Sequence, residues 1–277
     1  MRSCKWDVRI SRSRDLALKY PSAAEGLRFY QHIAQFQKSL YNDLEKECGK
    51  EPVARLPGTL RQELDLFILL PRFWAFLAVV EKNAPAPLAQ AAASLRAGGG
   101  TIWQEILSGY WHAGSESGAE LELSVDLDAS GALLAWTFLQ PYAEYLADYT
   151  AHPPLHSTPA VCPLCSSHPI VGALRPEGDG GKRWLICALC AHEWAYRRLV
   201  CPSCGGEDVH KLPVYTANEI ANVRVEACDI CHHYIKTVDM TKDGNAVPVV
   251  DEIATIALNL WAEEHGYTKI QTNLLGI

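Results

Sequence analysis

At 277 residues, 48% hydrophobic and 21% charged, with a formal net charge of −7, the chain has the composition expected of a soluble globular protein with room for one large and one small domain. The balance argues against a nucleic-acid partner: residues 162–239 carry eight Lys and Arg against nine Asp and Glu, without the basic stripe that phosphate neutralisation requires. The longest apolar run, 64–80, is interrupted by Asp65, Pro71 and Arg72 and falls short of the roughly 20 residues of a membrane helix, while residues 1–10 lack the apolar region of a secretory signal.

Taken from the start, Arg2, Lys5, Arg9, Arg12 and Arg14 surround Trp6 and Ile10 in a short basic arm, expected to be loosely ordered. Phe29, Ile33, Phe36, Leu40 and Leu44 recur at helical spacing and predict an amphipathic helix over 23–47, ending near Gly49. Cys4, His32 and Cys48 have no ligand-like neighbour and read as ordinary core or surface residues. Pro52 and Pro57-Gly58 mark a loop, after which Thr59 or Arg61 opens an apolar helix with core aromatics that Pro71 should kink or divide. Residues 85–97 are alanine-rich and helical up to Gly98-Gly99-Gly100, and 101–111 form a further helix with Ile102, Trp103, Ile106 and Leu107 inward. The three glycines read as a breaker, since a phosphate loop needs a following lysine with serine or threonine. After a polar linker at 114–118, residues 121–127 alternate like a short strand. Helical spacing returns over 133–149 through Leu134, Phe138, Tyr142, Tyr145 and Leu146, bent at Pro141. The proline-rich stretch 151–160, with His152 and His156 as linker residues, is expected to join a helical domain 1–150 to a cysteine-rich, β-rich region.

In that region four pairs read C-x-x-C: Cys162/Cys165, Cys187/Cys190, Cys201/Cys204 and Cys228/Cys231, eight of the ten cysteines. Structural cysteines scatter through a core and have no reason to recur at one separation. Two residues between cysteines form a tight turn that aims both sulfurs at one cation, and two such turns complete a tetrahedral four-sulfur site. Sequential and interleaved partitions are both possible. An internal repeat favours the sequential one, because each half reads knuckle, loop, β-rich run, second knuckle, aromatic run. Glu177-Gly178-Asp179-Gly180-Gly181 supplies a hairpin turn where a rubredoxin-like or zinc-ribbon unit needs one. The expected organisation is α+β: a helical domain, ribbons over 161–200 and 201–249, and a helix and tail over 250–277. In that helix Ile253, Ile256, Ala257, Leu260 and Trp261 form one apolar face, ended by Gly266. Its packing partner, ribbons or helical domain, is left open.

The ordered pairs and their flanks resemble the formate dehydrogenase accessory protein family, FdhE. The likeness rests on Trp184-Leu185-Ile186-Cys187, His192-Glu193-Trp194, Arg198-x-x-Cys201, Val225-Glu226-Ala227-Cys228, Tyr234-Ile235-Lys236, Asp251-Glu252-Ile253-Ala254-Thr255 and Asn273-Leu274-Leu275-Gly276. It implies a cytoplasmic accessory protein, not itself a catalyst, that binds the catalytic subunit of a formate dehydrogenase and is needed for that enzyme to become active. It also implies two iron ions per chain on the eight cysteines, with zinc as the alternative that tetrahedral sulfur equally accepts.

Two other classes share the cysteine framework. A rubredoxin-like electron-transfer protein uses iron in four sulfurs as its redox centre, and a zinc-ribbon module binds nucleic acid or protein, although the charge balance argues against nucleic acid. A catalytic reading lacks support in the sequence, since four sulfurs close each site and leave no open metal position.

Overall fold

The computed structural model describes residues 4–49, 60–113, 129–150, 158–178 and 180–276. Helices α1 (Cys4–Lys19), α2 (Ala24–Glu47), α3 (Leu66–Asn83), α4 (Ala86–Gly98), α5 (Gly100–Ala113) and α6 (Ala129–Tyr149) come first. Strands β1 (Pro169–Glu177), β2 (Gly180–Cys187), β3 (Glu193–Ala195), β4 (Val214–Thr216), β5 (Val223–Ala227) and β6 (His233–Asp239) come next, and α7 (Pro248–Ala254), α8 (Ile256–Glu264) and β7 (Thr268–Lys269) close the chain. The architecture is α+β, helices before ribbons, as expected. The loop at Pro52 and Pro57-Gly58, the linker 114–118, the alternating stretch 121–127 and connector residues 151–157, with His152 and His156, lie outside the described residues.

The basic arm is not loosely ordered but a helix. Trp6, Ile10, Ser13 and Leu16 line one face of α1 and are buried, while its cations find carboxylates far along the chain. Lys5 Nζ lies 2.6 Å from Asp148 and 2.8 Å from Glu144, and Arg9 Nη1 lies 2.7 Å from Glu144. Arg12 reaches Asp251 at 2.5 Å and Asp243 at 2.6 Å. A run of cations reads as a solvated tail only while its acceptors are out of sight.

Helix α3 is capped by Asp65, whose side chain accepts from Ile68 N–H at 3.2 Å, and Pro71 does not divide it. It is amphipathic rather than wholly buried: Leu69, Phe73, Phe76, Leu77 and Val80 face the core, whereas Phe67 is 90% exposed and Trp74 49% exposed. Ile102, expected inward, is likewise on the surface of α5, with Ile106, Leu107 and Trp111 inside. Helix α6 is buried around nearly its whole circumference, as suits a central helix. Phe138 of α6 packs on Phe73 and Phe76 at ring separations of 4.9 and 5.5 Å.

The two ribbons fuse into one sheet of order β3-β2-β1-β6-β5-β4. Each ribbon is a hairpin with a third antiparallel strand, and β1 of the first pairs in parallel with β6 of the second through Gly172↔Thr237, Ala173↔Val238 and Leu174↔Asp239. The seam needs a glycine, because a Cβ on Gly172 would stand 2.5 Å from Thr237 Oγ1. This head-to-tail join leaves two three-residue strands, β3 and β4, as the outer edges, and short edges limit unwanted pairing.

The expected single C-terminal helix is two helices, broken at Thr255 (φ −103, ψ 43). Lys236 Nζ of β6 donates to the carbonyls of Glu252 (2.5 Å) and Thr255 (3.3 Å), and Thr255 Oγ1 donates to Asp251 O (2.9 Å). Helix carbonyls taken by side chains interrupt the ladder. The phase shifts at the break, so Leu258, Asn259 and Ala262 face inward in α8 while Leu260 is half exposed. Helix α7 contacts α1 and α2 on one side and β1 and β6 on the other, joining helices and sheet, whose buried apolar residues form one continuous core.

Under α7 lies a buried polar network. Glu252 pairs with Lys236 at 2.9 Å and with Lys269, and accepts from Asn273 Nδ2 at 3.1 Å. Removing one member of a buried ionic group strands the others, so Glu252→Gln is expected to cost about 3–5 kcal/mol in urea unfolding. Burial pushes Lys236 down to about 8 from 10.5 against the pull of Glu252. The folded chain then holds fewer protons than the unfolded one between those values, so stability rises with pH across that window. Lys236→Met should flatten the rise when urea midpoints are compared over it.

Candidate metal centres

Each C-x-x-C pair sits in the same backbone turn. Cys162 N–H donates to Ser167 O (2.9 Å) and Ser166 N–H returns to Cys162 O (2.9 Å). The second ribbon repeats this with Cys201 to Gly206 O (2.9 Å) and Gly205 to Cys201 O (3.0 Å), then with Cys228 to His233 O (3.0 Å) and His232 to Cys228 O (2.8 Å). Cys187 N–H donates to His192 O at 2.9 Å. In all four turns the residue directly after the second cysteine is left-handed: Ser166 (φ 60), Ala191 (φ 52), Gly205 (φ 73) and His232 (φ 58). Among the described residues, these three non-glycines are all those with positive φ. The left-handed region costs a non-glycine about 1–2 kcal/mol, so the turns are held against a local preference.

The turns gather the thiols in the sequential partition, Cys162, Cys165, Cys187 and Cys190 in one cluster and Cys201, Cys204, Cys228 and Cys231 in the other, with the ligand atoms of each within 4.8 Å of one another. Sulfur separations are 3.6 Å for Cys162–Cys190, 3.3 Å for Cys165–Cys187, 3.7 Å for Cys201–Cys231 and 3.8 Å for Cys204–Cys228. A cation about 2.3 Å from each sulfur at the centre of a tetrahedron sets edges of about 3.8 Å. Both clusters fit such an ion, and all-sulfur tetrahedra suit zinc or iron. Backbone amides already point at the sulfurs: Leu189 N–H lies 3.4 Å from Cys187 Sγ and Ser203 N–H 3.4 Å from Cys201 Sγ. Cys4 and Cys48 are exposed and belong to neither cluster.

The clusters differ in surroundings. All four cysteines of the first are buried, and both its knuckles are gripped by the helical half. Arg61, itself buried, donates from Nε to Cys165 O (2.8 Å), from Nη2 to Ser167 Oγ (2.8 Å) and from Nη1 to Trp111 O (2.6 Å). Leu60 N–H donates to Leu164 O (2.8 Å). On the other knuckle, Trp136 Nε1 and Gln140 Nε2 of α6 both donate to Ala188 O, at 3.1 and 3.0 Å. The second cluster is held by the first ribbon, its own ribbon and the tail: Tyr196 OH donates to Cys201 O (3.3 Å), Asp229 N–H to Lys211 O (2.9 Å) and Tyr267 OH to Asp229 Oδ1 (2.7 Å). There Cys204 is exposed and Cys231 half-buried. Buried Arg183 ties the ribbons together, reaching Val200 O at 3.1 Å and Glu226 at 2.6 Å.

Without a cation the thiols of one cluster separate in acidity. Burial pushes Cys187 and Cys190 well up, while hydrogen bonds from Cys162, Cys187 and Cys190 hold Cys165 well below the usual thiol range. Burial likewise raises Cys201 to about 12. At Cys204 burial is outweighed by the Gly206 N–H and the neighbouring thiols, which lower it. A metal ion therefore displaces protons from the thiols that burial raises, Cys187, Cys190 and Cys201 among them, and its affinity falls as pH falls.

Composition and spacing identified the eight cysteines but not Arg61, Trp136, Gln140 or the left-handed residues. The last had a signal: Gly205 after Cys204 marks one turn, and the repeat carries its conformation to Ser166, Ala191 and His232.

Residues 161–198 match the family model described as FdhE, central domain, and residues 199–275 the model described as FdhE, C-terminal domain. The border between them separates the two clusters. A protein named Protein FdhE homolog from Aquifex aeolicus is 27% identical over 96% of this chain and 94% of its own length. Proteins of the same name from Pasteurella multocida and Shewanella oneidensis are 30% and 37% identical, over 61% and 42% of this chain and only 56% and 38% of their own lengths. The fold is similar to the crystal structure of the FdhE protein from Pseudomonas aeruginosa, with a TM-score of 0.68 and 23% identity over 99% of this chain and 96% of that one.

Two substitutions probe these centres. Ala191→Gly relieves a left-handed alanine and is expected to stabilise the metal-loaded protein by about 1 kcal/mol in denaturant titration. Arg61→Ala strands the buried carbonyls of Cys165 and Trp111 and removes the bond to the Ser167 hydroxyl, and should cost at least about 3 kcal/mol, more than any single exposed ion pair.

Proposed function

The chain belongs to the FdhE family, and from that premise we propose that it is an accessory protein binding the catalytic subunit of a formate dehydrogenase, needed for that enzyme to become active and not itself a catalyst. The observation that carries the reading is the pair of closed four-thiol clusters. Four sulfurs fill a tetrahedral ion's coordination and leave no position for a substrate, so an ion there shapes a surface instead of activating a ligand. On this reading each chain holds two metal ions, iron or zinc, and works in the cytoplasm, where thiols stay reduced. No helix among the described residues is long and apolar enough to cross a membrane. One observation favours rubredoxin-like electron transfer as a second reading: the exposed Cys204 edge of the second cluster gives an iron centre a short path to a partner.

Zinc, which does not change oxidation state, distinguishes the two. The accessory reading expects zinc-loaded protein to co-purify with the catalytic subunit and to restore formate oxidation in cells lacking the accessory protein. If only iron-loaded protein restores it, with absorption that bleaches on reduction, electron transfer is the function. If neither form binds the subunit and cells without the protein still make active enzyme, the accessory reading fails.

A further inference from the structure

We infer that the two four-cysteine sites are divided in role: the second, at Cys201, Cys204, Cys228 and Cys231, exchanges its divalent cation with external thiol or chelator ligands, while the first keeps its cation as part of the folded core. The inference rests on the reading of both clusters as metal sites and adds a difference between them.

A closed tetrahedral site exchanges its ion when an incoming donor approaches as a resident ligand leaves, so exchange requires that a sulfur edge be open to solvent and that the turn carrying it can move. The first site offers neither. Cys162, Cys165, Cys187 and Cys190 are at most 3% exposed, and of the residues inside its turns Leu164, Ala188 and Leu189 are buried as well and Pro163 is half-buried. Its knuckles cannot shift without breaking the Arg61, Leu60, Trp136 and Gln140 hydrogen bonds to the helical half. Opening this site means opening the joint between helices and sheet.

The second site offers both. Cys204 and its neighbours Ser203 and Gly205 are exposed, as are Ile230 and His232 around the half-buried Cys231. Cys201 and Cys228 remain buried, so two sulfurs anchor the ion while two form a solvent-facing edge. Among the described residues, the contacts holding its turns come from the sheet and tail and not from the helical half: they are the Tyr196 bond from the first ribbon and the Lys211 and Tyr267 bonds. An external donor can take the place of Cys204 and then of Cys231. The cation leaves as a dication on the acceptor, the freed thiolates take protons from water, and no electron moves.

The test uses the full chain loaded with zinc, mixed with the chelator 4-(2-pyridylazo)resorcinol while released zinc is monitored by absorbance, and quenched at intervals with N-ethylmaleimide for peptide mass spectrometry. Two equivalents should leave in separate phases, the first at least about 10-fold faster, a barrier difference of about 1.4 kcal/mol. In the fast phase alkylation should appear, among the eight clustered cysteines, on Cys201, Cys204, Cys228 and Cys231 only, the exposed Cys4 and Cys48 being labelled from the start, with helical circular dichroism unchanged. Release of both equivalents at one rate, or early alkylation of Cys162, Cys165, Cys187 or Cys190, overturns the division of roles. Preparations that bind no metal at all overturn instead the reading on which it rests. As a second check, Cys204→Ser should lose the fast equivalent and keep the slow one, and a fast phase that persists in that variant also overturns the inference.

Discussion

The structure depends on four sulfurs meeting at one point beneath the helices. Two turns side by side at the open end of the β1–β2 hairpin, where Pro169 faces Cys187, must aim Cys162, Cys165, Cys187 and Cys190 inward, and this convergence fixes the carbonyls of Cys165 and Ala188 where Arg61, Trp136 and Gln140 find them. Small β units have little core of their own, and free energy of metal binding in such units is free energy of folding. Here the gain extends past the ribbon, because the helical half docks on the turns themselves and not merely on the sheet face. A cation at this point acts as a keystone for residues it never touches.

The second ribbon joins that platform by repetition. Its β6 completes the free edge of β1, with Gly172 allowing the close approach to Thr237, and Arg183 carries a charge from the first ribbon to Glu226 of the second. The shared geometry of the four turns thus serves two environments: one cluster is sealed by helices, and the other sits at the rim with an open edge. For a protein whose proposed task is to meet another protein, a rigid centre and an adaptable margin are physically compatible, since ordering the margin alone costs little of the stability held by the centre.

The sequence was most legible where chemistry recurs at short range. Eight cysteines, their sequential grouping and the hairpin at Gly178 can be read from local spacing, as can a helix over 23–47, observed as Ala24–Glu47. It was least legible where the deciding partner lies far away. Nothing near Arg12 announces Asp251, 239 positions on, so a helix looked like a loose basic arm. Thr255 looked like a mid-helix residue because Lys236, which takes its carbonyl, comes from a strand. The Asp251-Glu252-Ile253-Ala254-Thr255 segment carried a family resemblance without a visible reason. The structure supplies one, since three of its five side chains belong to the network joining both halves of the molecule.

The ion pair between Arg12 and Asp251 also sets the order in which the molecule can be finished during synthesis. At roughly 5–20 residues per second, Arg12 waits on the order of tens of seconds for Asp251, although α2 follows α1 at once and brings Tyr41 to within 6.4 Å of Trp6, ring centre to ring centre. Glu252 then waits only about 1–4 s more for Lys269 and Asn273, 17 and 21 positions on. A chain cut short before residue 250 therefore keeps Arg12 without the Asp251 carboxylate that it meets in the finished fold. The contact between α1 and α7 is thus a late closure: the ion pair that ties the first helix to the sheet side of the molecule forms only after residue 251 has been made.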